Sequence, residues 1–282
     1  MIVLKKSSEC LDLVVLKKSK GSIVGLVPTM GALHAGHLSL IKASKQENDF
    51  TVCSIFVNPT QFNEIEDFIQ YPKPTENDIG LLEQAECDLL FLPNENEIYD
   101  KGINELDTYH LGYLEHYLEG ASRPGHFKGV ANVVDRFLKI IKPDHLYLGQ
   151  KDYQQVKVLQ ALLLQKKFAT KIVMCPIVRE SNGLAMSSRN ERLTEQQRKN
   201  AGGIAETLFF IRDNYRNYGL PELQKKSIAR INSIPEAKLD YLEFCDADAF
   251  TTVSDWNSAK HIVVVTAVKI AAVRLLDNIL LH

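Results

Sequence analysis

Long apolar segments are absent from this sequence of 282 residues. No run approaches the roughly 18 apolar residues that a membrane-spanning helix needs. The best candidate, HIVVVTAVKIAAV at positions 261–273, contains Lys269 and fits paired core strands better. The first twenty residues also lack the sustained apolar stretch of a secretory signal peptide. We therefore expect a cytoplasmic protein with no membrane partner.

Cysteine is scarce, and no two cysteines have the Cys-x-x-Cys spacing of a structural zinc site. We therefore expect no metal ion held by a protein ligand set. An odd number of cysteines, mostly within apolar runs, predicts buried thiols in a reducing compartment. They are Cys10, Cys53, Cys87, Cys175 and Cys245.

An excess of either charge is lacking as well. Lysine and arginine number 33 and aspartate and glutamate 35, which gives a net charge of -2 and a pI of about 6.5. This balance provides no overall attraction to nucleic acid or anionic membranes, and we expect no nucleic-acid partner. Any binding of phosphate must then come from a local cluster of residues.

The first part of the chain alternates short apolar runs with helical patterns. Fully apolar strands between helices indicate a parallel sheet that is covered on both faces. We predict an α/β fold, a Rossmann-like doubly wound parallel sheet, in a domain spanning residues 1–177. The predicted strands are 22–27, 51–57, 88–92, 145–148 and 171–178, and the predicted helices are 37–47, 75–86, 127–141 and 152–166.

The pattern changes after about residue 178. A polar loop, RESNGLAMSSRN, leads into a long helix in which Thr194 and Gln197 fit a capping box. A second helix is expected near Pro221. Three later runs, at 238–245, 262–268 and 273–280, are predicted to be antiparallel strands. We expect residues 178–282 to form a smaller α+β lid domain.

The segment VPTMGALHAGHLSLI combines a strand, a glycine-containing turn and a helix start. Open α/β sheets bind ligands at the carboxyl ends of their strands, and free N–H groups at a helix start favour an anion there. His34 and His37 are three residues apart, so both rings can lie on one helix face and donate to phosphate oxygens, more strongly when they are protonated. A zinc site is the weaker alternative, because a catalytic zinc normally needs three protein ligands.

Two further strand ends carry polar residues. FVNPTQFN places Asn58 and Gln61 after one strand, and YLGQKDYQQ places Lys151 and Gln155 after another. Because the ends of parallel strands meet at one edge of a sheet, we expect these residues to line one crevice with the histidines. The sequence lacks the GxGxxG and GxxxxGK[ST] glycine patterns, which disfavours Rossmann dinucleotide and P-loop sites.

Cations are expected to hold a triphosphate in this crevice. Lys151 follows a glycine after a strand, and Arg189 lies in LAMSSRN beside Ser187 and Ser188. Cations and hydroxyl donors aimed at phosphate oxygens usually give the largest catalytic contribution in phosphoryl transfer. The loop also lies at the expected domain junction, where it could close a lid over the ligand.

The string HAGH resembles the HxGH signature of the nucleotidylyltransferase superfamily, which uses the α-phosphorus of ATP. The longer strings PTMGALHAGHLSLI, LEGASRPGHFKGVANVV, AMSSR and RLLDNIL resemble the pantoate–β-alanine ligase family, and the resemblance covers most of the chain. It implies ATP-dependent condensation of (R)-pantoate with β-alanine to pantothenate through a pantoyl adenylate, with release of AMP and pyrophosphate. It also implies Mg²⁺ with the ATP and a homodimer formed through the amino-terminal domain.

The resemblance assigns roles residue by residue. The catalytic residues it implies are His34, His37, Lys151 and Arg189. The residues it implies for ATP binding are Met30, Gly31, Ala32, Leu33, His34, Ala35, Gly36, His37, Gly149, Gln150, Lys151, Asp152, Val178, Met186, Ser187, Ser188 and Arg189. Those it implies for pantoate and β-alanine are Met30, Asn58, Gln61 and Gln155. The family's usual Glu between Gly149 and Lys151 is Gln150 here, and Arg123, His126 and Lys128 are further candidate cations on the substrate side.

Three other functions stay open at this stage. Another HxGH adenylyltransferase would use a phosphate rather than a carboxylate as the attacking group. A class I aminoacyl-tRNA synthetase is disfavoured, because no anticodon-binding region or basic surface is evident. A non-enzymatic ATP-binding module would not need both glutamines together with a second set of cations.

Overall fold

The computed structural model describes residues 1–63, 65–100, 102–103 and 106–281. The chain divides into two compact units. The first consists of Met1–Gly149 and Gln154–Cys175, and the second of Gln150–Tyr153 and Pro176–His282. The sequence predicts a ligand-binding role for residues 1–177 and a lid role for residues 178–282. Both roles stay predictions.

The first unit is built on a six-stranded sheet whose strands all run parallel, which confirms the predicted α/β class. The order is β1-β4-β3-β2-β5-β6, so the chain progresses outwards on both sides of β2. A crevice at the carboxyl ends of β2 and β5 is therefore the expected ligand site of this topology. The strands are β1 Ile2–Leu4, β2 Val24–Thr29, β3 Phe50–Ile55, β4 Leu89–Phe91, β5 His145–Gly149 and β6 Lys171–Cys175.

Helices of the first unit cover this sheet. The α-helices of the described chain are α1 Ser7–Ser19, α2 Ala35–Glu47, α3 Ile65–Ile69, α4 Thr75–Gln84, α5 Glu95–Ile98, α6 Glu119–Ser122, α7 His126–Ile141, α8 Tyr153–Lys166, α9 Glu195–Asn214 and α10 Leu220–Asn232. Four helices of the first unit, α2, α4, α7 and α8, match the predicted positions within a few residues. Short 3-10 turns lie at Pro59–Gln61, Gly112–Glu115, Gln150–Asp152 and Ser188–Arg192. None of the helices in the described ranges is long and apolar enough to span a membrane.

A buried cluster fixes α2, the helix that carries both histidines, against the sheet. Leu40 and Ile41 of α2 pack with Val27 of β2, Cys53 of β3 and Tyr147 of β5. Burying an aliphatic side chain of this size stabilises a fold by about 1.5–3 kcal/mol, so the start of α2 rests on a rigid support. All five cysteines are buried free thiols, as the sequence predicts.

Several predicted boundaries need correction. The strand expected over 171–178 ends at Cys175, because Pro176 follows it. β2 continues through Pro28, which had been expected to end it. The Phe56 N–H donates to the Thr29 carbonyl. The backbone hydrogen-bonding groups of Thr29 therefore point towards β3, and those of the preceding Pro28 point towards β5. Pairing with β5 involves only Gly25 and Leu26, so the missing N–H of Pro28 interrupts no ladder.

The second unit joins α9 and α10 to an antiparallel sheet, as predicted. Its strands are β7 Ala237–Asp246, β8 Ile262–Ile270 and β9 Val273–Leu281, in the order β7-β8-β9. The predicted capping box opens α9: the Thr194 hydroxyl accepts from the Gln197 N–H at 3.2 Å, and the Gln197 carbonyl oxygen accepts from the Thr194 N–H at 3.1 Å.

Candidate active site

The turn between β2 and α2 is held by hydrogen bonds to its own backbone N–H groups. Gly31 and Ala32 have φ angles of 81° and 50°, in the left-handed region. The Gly31 N–H donates to the Thr29 hydroxyl at 3.2 Å. The N–H groups of Ala32 and Leu33 donate to the two carboxylate oxygens of Asp78 at 2.9 and 2.8 Å.

The N–H groups of residues 31–33 thus have acceptors within the protein. The free N–H groups that the sequence predicts belong to the helix start, which follows at Ala35. Asp78 itself was not predicted as a site residue. It is buried in α4, and burial raises the pKa of its carboxyl while the two N–H donors lower it, with a net upward shift.

His34 and His37 cap the start of α2 reciprocally. His34 is the N-cap residue, and its Nδ1 accepts from the Gly36 N–H at 3.1 Å. The Nδ1 of His37 accepts from the His34 N–H at 3.4 Å. The ring centroids are 4.1 Å apart, which confirms that both rings lie on one face.

This double cap uses the Nδ1 atom of each imidazole. A ring nitrogen that accepts a hydrogen bond carries no proton, so Nε2–H is the donor that each ring offers while the cap is formed. Donation through Nε2–H leaves the cap intact.

Gln61, Asn58 and Met30 lie together beside this turn. The Gln61 side chain is buried, and its Nε2 donates to the Met30 sulfur at 3.1 Å. Its Oε1 accepts from Asn58 Nδ2 at 3.0 Å, and Asn58 Oδ1 accepts from the Tyr99 hydroxyl at 2.7 Å. The structure thus brings together three of the four residues predicted to bind the substrate, and Tyr99 supports them.

The segment that begins α7 holds the backbone of Gln61. His126 Nδ1–H donates to the Gln61 carbonyl at 2.8 Å, and its Nε2 accepts from Arg123 Nη1 at 3.1 Å. Gly129 approaches so closely that an added Cβ would lie 2.3 Å from the Thr60 carbonyl oxygen. Arg123 and His126 therefore position Gln61. Lys128 is more than half exposed and lies 3.5 Å from Glu115.

The adjacent glutamines at the start of α8 differ in burial and in hydrogen bonding. Gln154 is buried, and its side chain bonds the backbone of Leu114, Tyr117 and Glu119 at 3.0, 2.7 and 3.1 Å. Gln155, the predicted substrate ligand, is half-buried, and its side-chain amide makes no hydrogen bond to the described part of the chain.

The remaining predicted residues belong to the second unit, apart from Gly149, which ends β5. Lys151 lies in a 3-10 turn, and its Nζ is 3.1 and 3.2 Å from the carboxylate oxygens of Asp152. Buried Asn278 donates to the carbonyls of Gln150 and Lys151 at 2.8 and 3.0 Å. Gln150 Nε2 donates to Asn278 Oδ1 at 3.0 Å. An ionised glutamate could not donate this bond, so Gln150 and Asn278 are chemically matched in this chain.

A buried ion pair holds the loop that precedes the serines. Arg179 binds Asp277 through two bonds of 2.6 and 2.9 Å, and it also donates to the Gly183 carbonyl at 3.0 Å. Burial raises the pKa of Asp277, although Arg179 opposes this shift. Met186 N–H closes the loop by donating to the Val178 carbonyl at 2.9 Å. Arg179 and Asp277 are 98 residues apart, and a single sequence gives no signal for their pairing.

We expect Asp277→Asn to lower the melting temperature markedly, because it leaves a mostly buried guanidinium without its counter-charge. Breaking a buried pair on one side costs about 3–5 kcal/mol. Asp240→Asn is the matched control, since Asp240 of β7 pairs with Arg274 at 2.7 Å but is more exposed. An exposed pair contributes about 0–1 kcal/mol, so this variant should melt close to the wild type. Calorimetry that gave equal shifts for the two variants would contradict the assigned role.

The loop ends in the 3-10 turn of Ser188–Arg192. Ser187 caps this turn by accepting from the Arg189 N–H at 3.3 Å. Buried Asn190 anchors it through Nδ2, which donates to Glu180 at 2.7 Å and to the Ala185 carbonyl at 3.1 Å. Arg189 is half-buried, and within the described ranges its guanidinium has no carboxylate partner. It is thus a cation on an anchored backbone.

Comparisons with known proteins agree along the whole chain. A family model described as pantoate-beta-alanine ligase matches residues 2–280. The chain is 43% identical over 263 residues to a pantothenate synthetase of Azobacteroides pseudotrichonymphae, covering 93% of each protein. It is 40% identical to one from Acetivibrio thermocellus, covering 100% of both.

Two solved structures are also similar. The pantothenate synthetase of Thermus thermophilus has a TM-score of 0.91 and 36% identity, with 99% of each chain covered. The pantoate-beta-alanine ligase of Francisella tularensis, complexed with beta-gamma ATP and beta-alanine, has a TM-score of 0.80 and 40% identity. Here 99% of this chain and 97% of that chain are covered.

Proposed function

Because the chain belongs to the pantoate–β-alanine ligase family and condenses pantoate with β-alanine to pantothenate at the expense of ATP, we propose that the residues described above carry the two steps of that reaction. The observation that carries this assignment is the pair of imidazoles at the start of α2, with Gln61 beside the preceding turn. Both lie where a parallel sheet binds its ligand.

In the first step, a carboxylate oxygen of pantoate attacks the α-phosphorus of ATP. A bond forms from that oxygen to phosphorus, the bond from phosphorus to the bridging oxygen breaks, and pyrophosphate leaves. Negative charge grows on the phosphate oxygens during this step. His34 and His37 donate to these oxygens through Nε2–H, and Lys151 and Arg189 supply positive charge.

In the second step, the amine of β-alanine attacks the acyl carbon of pantoyl adenylate. The bond from that carbon to the phosphate oxygen breaks, AMP leaves, and the nitrogen loses a proton. No covalent bond to the protein forms. The five cysteines are buried, and burial raises the pKa of Cys10 to about 12 and that of Cys87 to about 11, which suits thiols without a catalytic role.

Gln61 and Gln155 bind pantoate through neutral amides. An arginine would pair with the carboxylate and weaken its attack on phosphorus, whereas an amide orients it without neutralising its charge. Asn58 and Met30 complete this part of the site, since both contact Gln61.

The other predicted residues are assigned to ATP. The turn from Met30 to His37 lies against the nucleotide, and Asp152 contacts the nucleotide. Mg²⁺ enters with ATP, because Mg²⁺ keeps several waters and binds chiefly to substrate phosphates.

The assembly proposed for this cytoplasmic enzyme is a homodimer formed through the first unit. Four apolar side chains of β1 and α1 are 40–51% exposed there, namely Ile2, Val3, Val15 and Leu16. Light scattering after size-exclusion chromatography should give twice the mass of 31.8 kDa, and a monomer mass would rule the dimer out.

The two adjacent glutamines of α8 provide a test of pantoate binding. Gln155→Ala should raise the KM for pantoate at least about 10-fold with little change in melting temperature, because it removes an amide that only the substrate uses. Gln154→Ala should lower the melting temperature, because it leaves buried backbone groups unpaired at about 1–3 kcal/mol each. Equal KM values for pantoate in the two variants would contradict the assignment of Gln155.

Isotope exchange tests the function itself. With ATP, Mg²⁺ and pantoate but no β-alanine, the protein should exchange labelled pyrophosphate into ATP, and added β-alanine should produce AMP and pantothenate. Exchange that depended on a nucleotide acceptor instead would indicate another adenylyltransferase. Binding of ATP with no exchange for either acceptor would indicate a non-enzymatic module.

A further inference from the structure

Asp78 is a buried acid that the reaction does not use directly. It lies in the first turn of α4, where its residue exposure is 1%, while Glu76 of the same turn is exposed. Both of its carboxylate oxygens point to one place, the turn before His34. They accept the N–H groups of Ala32 and Leu33, which are 46 and 45 residues away in sequence.

This turn has a conformation that its own residues disfavour. Ala32 is left-handed at φ 50°, a conformation that L-residues disfavour, and Gly31 before it is left-handed as well. A Cβ added at Gly31 would lie 3.0 Å from Asp78 Oδ2 and 3.2 Å from Ile55 Cγ2. The backbone therefore packs directly against the carboxylate. Such a conformation persists only when its surroundings hold it.

The position of the histidines follows from this turn. Leu33, whose N–H is bound by Asp78, directly precedes His34, the N-cap residue of α2. A shift of the Leu33 backbone would move His34, and with it the Nδ1 bonds that orient both rings. The orientation of the His34 and His37 rings thus depends on the Asp78 carboxylate, which binds the backbone N–H just before His34.

We propose that Asp78 is a positioning residue for the adenylation step, which fixes the turn at Ala32 and Leu33 so that His34 and His37 present their Nε2–H groups to the phosphate of ATP. The inference rests on the proposed function of the two histidines. It assigns to Asp78 an effect on the rate of adenylation and none on the binding of pantoate.

The test variant is Asp78→Asn, which keeps the size of the side chain but turns an NH₂ group towards a backbone N–H. It should lower kcat of pantoate-dependent exchange about 10- to 100-fold, the usual effect of a displacement near 1 Å at a reacting centre. The KM for pantoate should stay within about threefold. Glu76→Gln, which removes the same charge from the same turn of α4, should keep the wild-type rate.

Combined variants distinguish positioning from a general loss of structure. In a background with both His34→Ala and His37→Ala, Asp78→Asn should have less than about a threefold effect, because the groups that it positions are gone. In a Gln155→Ala background its full effect should remain. An equal effect in the two backgrounds, or a rate for Asp78→Asn equal to that of Glu76→Gln, would overturn the proposal.

Gly31→Ala provides a second route if Asp78→Asn does not fold. The added methyl group presses the turn off the carboxylate, and kcat should fall while the KM for pantoate stays unchanged. A wild-type kcat for Gly31→Ala would overturn the proposal. Absence of exchange in the wild-type protein would instead reject the proposed function, and the role of Asp78 with it.

Discussion

Arg189→Ala is expected to lower kcat of pantoate-dependent exchange about 100- to 1,000-fold. Negative charge develops on the ATP phosphates as pyrophosphate leaves, and removal of one preorganised donor typically costs about 2.7–4 kcal/mol. The Arg189 guanidinium has no carboxylate partner within the described ranges, so its charge is not already compensated by the protein. The rate is measured at saturating ATP and pantoate.

Arg192→Ala is the matched control for this variant. Arg192 ends the same 3-10 turn and is exposed, so its replacement changes the net charge equally. It should keep kcat within about threefold of the wild type, as surface substitutions away from special features usually have small effects. Equal losses for the two variants would show that only overall charge matters.

Gln61→Glu is expected to raise the KM for pantoate about 100-fold. The new carboxylate would face the carboxylate of pantoate, and like charges at a buried contact cost several kcal/mol. Each 1.4 kcal/mol corresponds to about a factor of 10 in affinity. Gln61 is only 9% exposed, so little water is present to screen the repulsion.

Gln61→Met separates repulsion from the loss of hydrogen bonds. This variant has a side chain of similar length and no charge, so its KM for pantoate should rise less than that of Gln61→Glu. Melting temperatures of both variants show how far the buried substitution affects stability. An unchanged KM for pantoate in Gln61→Glu would remove Gln61 from the substrate site.

Local sequence patterns predicted most of the fold because each element carries its own signal. Apolar runs such as that of β3 and the 3.6-residue periodicity of α7 are properties of short segments. The Thr194 capping box is equally local. β1 was missed because three residues at a sheet edge, two of them exposed, have too little pattern to identify a strand.

The supporting part of the site could not be predicted in the same way. The bonds of Asp78 to the turn, of His126 to Gln61 and of Arg179 to Asp277 join residues that are 45 to 98 positions apart. Such pairs depend on how the elements pack, which no periodicity encodes. The reciprocal cap of His34 and His37 is local, but histidine seldom caps helices, so a donor role alone was expected.

The most direct test of the account follows the oxygen atoms of pantoate. Pantoate labelled with ¹⁸O in its carboxylate is incubated with ATP, Mg²⁺ and β-alanine. The masses of the AMP and pyrophosphate that form are then measured by mass spectrometry. If the carboxylate attacks the α-phosphorus, each AMP carries one ¹⁸O atom and pyrophosphate carries none. Unlabelled AMP, or label in pyrophosphate, would contradict the formation of pantoyl adenylate at this site.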